Sequence, residues 1–419
     1  MTTEQTPLLT RTAREPVRLA ALDLVRGVLM VIMAIDHAKE FLANFGNKHE
    51  QWFEMPDYKG NVAYFLSRFV TGFCAPGFFM LMGWGVALFV ESRRKIEWSW
   101  TKILKHFALR GLVLVVLNEV MVSSFRYTAW GITTYTFTTT VLFALGINIF
   151  LASVFLWIET AITSSTVVVH SHQSAVIVGI YAVVASVITI LPSLYVPSPS
   201  EATSKFSFQW LLWFLPRATA NATDSIMSVY PPFPWVAHTL WGVGIGRMSK
   251  LFKWDSARLG LFNLSCGIAM ISLAIPLRYG VKWTSINPEL VTPPITESII
   301  SFFNNVKYPP SVVYTLIAIG ANQALLGILF SFNPTNIKVE SGPLMVFGGS
   351  SLFFYVSHFY LYFLISVVLR GVGIMSDGKF GWWGFWVCYA MGLVMEYFMC
   401  KEYAKFKRGT SKDSLWRLF

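Results

Sequence analysis

The chain has 419 residues, of which 54% are hydrophobic and only 13% charged, with a mean hydropathy of +0.54; soluble domains carry about 25% charged residues, so a soluble fold is excluded. The net charge of +11 would suggest nucleic acid in a soluble protein, but here it reads as Lys and Arg gathered in cytosolic loops, and no nucleic-acid partner is expected. The four cysteines, Cys74, Cys266, Cys388 and Cys400, fall in or beside apolar segments at no ligand spacing, so neither a disulfide framework nor a metal site is expected.

Residues 1–18 form a polar tail with no cleavable signal pattern. Within it, Glu4-Gln5-Thr6-Pro7-Leu8-Leu9 places an acid four positions before Leu-Leu. That pattern resembles the acidic dileucine signal that sorting adaptors read on cytosolic tails of endolysosomal and vacuolar proteins. Glu4, Leu8 and Leu9 are therefore the expected adaptor contacts, and a vacuolar or lysosomal membrane is expected rather than the plasma membrane.

The rest of the chain reads as all-α, a polytopic integral membrane protein with about ten spans. Their expected limits are 19–41, 63–90, 103–122, 135–158, 174–196, 233–249, 259–277, 311–331, 343–369 and 382–400. Each is close to the roughly 20 residues that cross a bilayer as a helix. The transmembrane domain thus covers 19–400, followed by a basic tail over 401–419. Gln209 to Leu215 is too short to span and its Trp residues suit an interfacial helix. With the N-terminus cytosolic, 19 of the 33 Lys and Arg fall on the cytosolic side. Both termini are therefore expected in the cytosol, and the sequon at Asn221 falls on the lumenal side.

The first span carries the most informative pattern. Asp23, Arg26, Met30, Met33, His37 and Glu40 follow at spacings of three and four, so they share one helical face. Ionisable residues inside a membrane are expensive and usually face a bundle interior or a cavity. Asp23 and Arg26 are expected to pair near the cytosolic end. His37 falls near the lumenal end, one turn from Glu40, which is expected to hold its ring. An imidazole held by a carboxylate is suited to nucleophilic or general-base work. The same stripe also fits a purely structural pair and a packed histidine. Asp36, adjacent to His37, points elsewhere. His49, in the following loop, is a second candidate. His238 and His358 lie inside later spans, where a satisfied core histidine is the more common outcome. Arg68, Arg110, Glu119, Asn322 and Gln323 are further cavity candidates. The glycines of 242–246 lie in a span, where small residues serve close helix packing.

These residues carry a resemblance. Arg18 to Gly27, then Met33-Ala34-Ile35-Asp36-His37-Ala38, resembles the opening of a membrane acyltransferase family that contains heparan-alpha-glucosaminide N-acetyltransferase and many uncharacterised bacterial and fungal proteins. Phe73 to Gly83, Pro234 to Arg247, Lys307-Tyr308-Pro309-Pro310-Ser311 with Gly320, and Tyr403 to Phe419 are similar to later motifs of that family, in order. The resemblance implies an acyltransferase domain and acetyl-CoA as acyl donor. It implies Arg26, paired with Asp23, for a CoA phosphate, and an amine or hydroxyl acceptor, a sugar among the candidates, on the lumenal side. A histidine is implied as acyl carrier or base. The Lys48-His49-x-x-Trp52 context matches the lysosomal enzyme's histidine, whereas the uncharacterised branch carries its histidine at His37 and its late lysine at Lys307. The choice between His37 and His49 stays open here. The competing function is a transporter of a small polar or anionic solute, because buried ionisable residues also line translocation paths.

Overall fold

In the computed structural model the described residues are 20–45, 50, 55–130, 137–163, 171–194, 226–280, 297–331, 342–375 and 379–411. The elements are α1 (Ala20–Leu42), α2 (Val62–Thr71), α3 (Cys74–Arg94), α4 (Trp100–Trp130), β1 (Phe137–Thr139), α5 (Val141–Thr163), α6 (Ser171–Leu194), β2 (Ile226–Ser228), α7 (Pro232–Leu251), α8 (Ser256–Gly280), α9 (Ile299–Phe303), α10 (Val312–Ser331), α11 (Pro343–Gly349), α12 (Ser351–Gly371) and α13 (Trp382–Gly409). Helices dominate, as expected. Among the described residues β1 pairs with β2 in a short parallel ladder, in the register Phe137–Ile226 to Thr139–Ser228, and an isolated parallel bridge joins Ala43 to Phe380.

Among the described residues, eight helical stretches are long and apolar enough to cross a membrane. Several present continuous apolar stripes to the outside. On α6 the stripe is Val176, Ile180, Val183, Val187 and Leu191; on α4 it is Leu109, Leu112, Val116 and Val120. Spacings of three and four put each set on one face. Exposed apolar area of this extent is tolerated only against another apolar medium. The chain is a polytopic membrane protein.

Ten spans were expected, and the other two expected helices, α1 and α7, have 23 and 20 residues. At 1.5 Å per residue each exceeds or matches about 30 Å, a bilayer core. Neither passes on apolarity, and the reason is position. α1 packs against α2, α3, α10, α11, α12 and α13, while α7 packs against α3, α5 and α6. A helix surrounded by protein need not be apolar, so α1 keeps Asp23, Arg26, Asp36, Lys39 and Glu40. On α7, the glycines do the packing expected of them. Gly242 lies against the Met80 backbone and Gly83 of α3 against the Thr239 carbonyl, so a Cβ at either would overlap main chain.

Two expected limits need correction. The 343–369 segment is not one helix, since it breaks at Ser350 into α11 and α12. Gly348 closes on the Asp23 carbonyl and Gly27 on the Leu344 carbonyl, backbone to backbone. That contact holds α11 on α1, and the chain must turn before α12 continues. The 135–158 segment starts late, because residues 137–139 pair as β1 and the helix begins at Val141.

Candidate functional site

The polar face of α1 is turned into the bundle, where Asp23 and Lys39 are buried. Along it the structure separates two polar ends. At the first, Arg26 Nη1 donates to Asp23 Oδ1 at 2.8 Å. Arg110 of α4 lies within electrostatic reach of Arg26. Among the described residues no acid is paired with Arg110, so its guanidinium adds a second positive charge beside the Arg26–Asp23 pair.

At the second end stands His37. Its Nδ1 lies 2.7 Å from Nε2 of His358 on α12. The Nδ1 of His358 in turn lies 2.6 Å from the Phe354 carbonyl oxygen. A carbonyl can only accept, so His358 Nδ1 carries a proton and donates it there. His358 is wholly buried with ring contacts to Phe354 and Phe359, surroundings in which an uncompensated charge is costly. In the neutral pair His358 Nε2 therefore accepts, and His37 Nδ1 donates to it. The Nε2 of His37 is left with a free lone pair. The His37 ring lies 4.1 Å from that of Phe359 and 6.0 Å from that of Tyr355, and the residue is partly, not fully, buried. The arrangement is a base or nucleophile with a fixed tautomer, open on one side.

An ion network borders this end. Asp36 pairs with Lys39 at 2.9 Å and with Arg68 of α2. Arg68 also grips Glu50, with Nε to Oε1 and Nη2 to Oε2 both at 2.8 Å. Tyr58 donates to Glu50 Oε1 at 3.3 Å. Burial pushes the Glu50 pKa up, but the Arg68 guanidinium outweighs it and the net position is below the usual carboxylate range. The Tyr58 hydroxyl is pushed up, by burial and by the Glu50 charge.

The two ends are eleven residues apart, about 16 Å along α1. Between them lies Gln323 of α10, wholly buried, with neither amide atom hydrogen-bonded. Its neighbour Asn322 and Leu29 both border Gly77, which sets the depth. Gln323 shares a helical face with Ile319 and Leu326, both of which join the cluster packed on α1.

The other expected residues are distributed as follows. Glu40 does not hold the His37 ring: the ring turns to α12, and the Glu40 carbonyl, one turn further on, accepts from Lys379. Asp36, expected to point elsewhere, is the centre of the ion network. His238 shares no described contact with His37; its Nε2 is 3.4 Å from Thr315 Oγ1 and its ring 5.2 Å from Trp235. Lys307 lies beside the network, with its backbone N–H donating to the Glu50 carbonyl at 3.0 Å. Glu119 lies apart, accepting from Asn118 at 3.0 Å. His49 and the tail residues Glu4, Leu8 and Leu9 lie outside the described residues. Sequence reasoning missed the pairing of His37 with His358 and the part played by Glu50. Nothing in the spacing of residues 321 positions apart signals the first.

The fold and the site define a membrane-embedded class: a polytopic bundle whose interior helix leads from an arginine pair to a neutral histidine pair. A family model described as heparan-alpha-glucosaminide N-acetyltransferase, catalytic, matches residues 18–279. The match covers more than half of the chain, which therefore belongs to this family of membrane N-acetyltransferase-like enzymes with acetyl-CoA as donor. None of the curated proteins matches the chain. His37, Arg26, Arg110 and Arg68 fall inside the matched residues; Lys307, Gln323 and His358 fall beyond them.

Proposed function

We propose that the protein is an acyltransferase in which His37 takes an acetyl or similar acyl group from cytosolic acyl-CoA. It then passes that group to an amine or hydroxyl acceptor on the lumenal side. The observation that carries this reading is the 2.7 Å contact between His37 Nδ1 and His358 Nε2, which leaves Nε2 of a partly buried imidazole unprotonated. Arg26, steadied by Asp23, and Arg110 would hold the donor's phosphates, as planar guanidinium groups suit them. The distance of about 16 Å from Arg26 to His37 along α1 is comparable to an extended phosphopantetheine arm, and Gln323 offers an amide partway along it.

The chemistry follows from the tautomers. The His37 Nε2 lone pair forms a bond to the thioester carbonyl carbon and the carbonyl π pair moves to oxygen. Collapse breaks the carbon–sulfur bond, and the thiolate takes a proton from cytosolic solvent. As the acyl-imidazole forms, the Nδ1 proton of His37 passes to His358 Nε2, so His358 takes up the positive charge. When the acceptor attacks, the carbon–Nε2 bond breaks, His358 returns the proton to His37 Nδ1, and the acceptor's surplus proton leaves to the lumen. Acyl-imidazoles are reactive enough toward amines and alcohols for this second step.

The reading takes the N-terminus as cytosolic, with ten spans, on the Lys and Arg asymmetry. The Glu4 to Leu9 pattern supports a vacuolar or lysosomal membrane. The test is purified full-length protein incubated with radiolabelled acetyl-CoA, quenched, and mapped by peptide mass spectrometry. Label on His37 that chases to an added amine or sugar is expected. Label on His49 instead would move the site to the loop, and absence of both label and turnover would end the reading.

A further inference from the structure

Among the described residues, the charges beside His37 do not balance. Two acids, Asp36 and Glu50, face three bases, Lys39, Arg68 and Lys307. Lys39 and Arg68 take both acids. Among the described residues the Lys307 ammonium has no acid and no hydrogen-bond acceptor, and its described contact is the Tyr308 ring at 5.1 Å. Yet the residue is only 4% exposed. An ammonium on a residue so deeply set is costly without an acid beside it.

The segment bearing it is rigid. Arg278 donates to the carbonyls of Phe302 and Asn304, each at 3.1 Å. Asn304 Nδ2 donates to the Pro56 carbonyl at 2.9 Å, and the N–H groups of Lys307 and Tyr308 both bind the Glu50 carbonyl. Lys307 lines a cavity of about 30 Å³ together with Glu50, Tyr58, Arg68 and Asn305. It lies within electrostatic reach of His37 as well as of Asp36 and Glu50.

We propose that the Lys307 ammonium receives the acyl oxygen, polarising the donor carbonyl and stabilising the oxyanion formed when His37 Nε2 adds to it. This rests on the acyltransferase reading. In that step the nitrogen–carbon bond forms, the carbonyl π pair moves to oxygen beside Lys307, and the pair returns as the carbon–sulfur bond breaks. Lys307 gives up no proton. A fixed charge aimed at a developing oxyanion needs no reorganisation at the moment of reaction, and removing one such donor typically lowers kcat by about 10²–10³-fold.

The experiment uses full-length protein in detergent, with Lys307→Met and Lys307→Arg beside wild type. Lys307→Met should slow acylation of His37 by about 10²–10³-fold while half-saturation by acetyl-CoA changes less than about threefold, because the phosphates bind elsewhere. Lys307→Arg, which keeps the charge, should recover at least tenfold of that loss. A Lys307→Met protein that melts as wild type and acylates His37 at the wild-type rate overturns the proposal. So does a folded Lys307→Arg no faster than Lys307→Met. Should wild type itself fail to acylate, the acyltransferase reading is what fails. The anion site is then judged alone, by melting temperature in acetate against chloride at equal ionic strength. Acetate should stabilise wild type and leave Lys307→Met unmoved; equal responses overturn the site too.

Discussion

The His37–His358 region and the His238 region place the same side chain inside the same bundle, with different results. His358 and His238 are both buried. His358 hands a fixed tautomer to a second, partly buried imidazole that borders an ion network. His238 makes one long contact to Thr315 and lines an apolar cavity of about 240 Å³ between α6, α7, α8 and α10. No ion pair borders it among the described residues. Burial alone therefore does not mark a functional histidine. What distinguishes the first region is a lone pair that is both determined and reachable.

Four measurements break or sharpen that contrast. The largest effect is expected at His37. In His37→Ala, acylation and turnover should both fall by more than about 10⁴-fold, beyond the usual loss of a general base alone. A residual rate near 10⁻²-fold would reduce its role to that of a base.

At His358 the expected loss is smaller, about 10²-fold in kcat for His358→Ala at near-constant half-saturation, because the tautomer of His37 is no longer set. His358→Gln, whose amide oxygen can accept the same hydrogen bond, should recover part of it. Equal rates for the Ala and Gln variants would show that the ring only fills space.

The Arg26 end should respond in binding rather than in chemistry. Arg110→Gln and Arg26→Gln are each expected to raise half-saturation by acetyl-CoA about 10- to 100-fold, the scale of one charged hydrogen bond, with kcat less affected. A fall in kcat without a change in half-saturation would detach the two ends of α1.

The smallest effect should come from His238→Ala, less than about threefold in turnover, read alongside its melting temperature. A loss matching that of His358→Ala would erase the distinction between the two regions.

Much of this was legible in the residues themselves. The apolar stripes of α4 and α6 follow directly from helical periodicity, as does the polar face of α1. Neighbours three or four positions apart meet on any helix, so Asp23 with Arg26 was readable from spacing, and the structure forms that pair at 2.8 Å. The same rule paired His37 with Glu40, and there it failed, because a local spacing states which residues can meet and not which way a ring turns when another helix offers a better acceptor.

The sequence by itself determined a helical membrane bundle, its outward faces, and one interior helix too polar to meet lipid, since each depends on residues close together in the chain. Only the tertiary structure decided that α12 brings His358 to His37, that Glu50 and Asp36 share Arg68, and that Lys307 is left without an acid among the described residues. Those partners lie up to 321 positions apart, and their pairing depends on how α1 is enclosed. The physical reason is that a buried charge or ring nitrogen takes whatever partner the packing delivers.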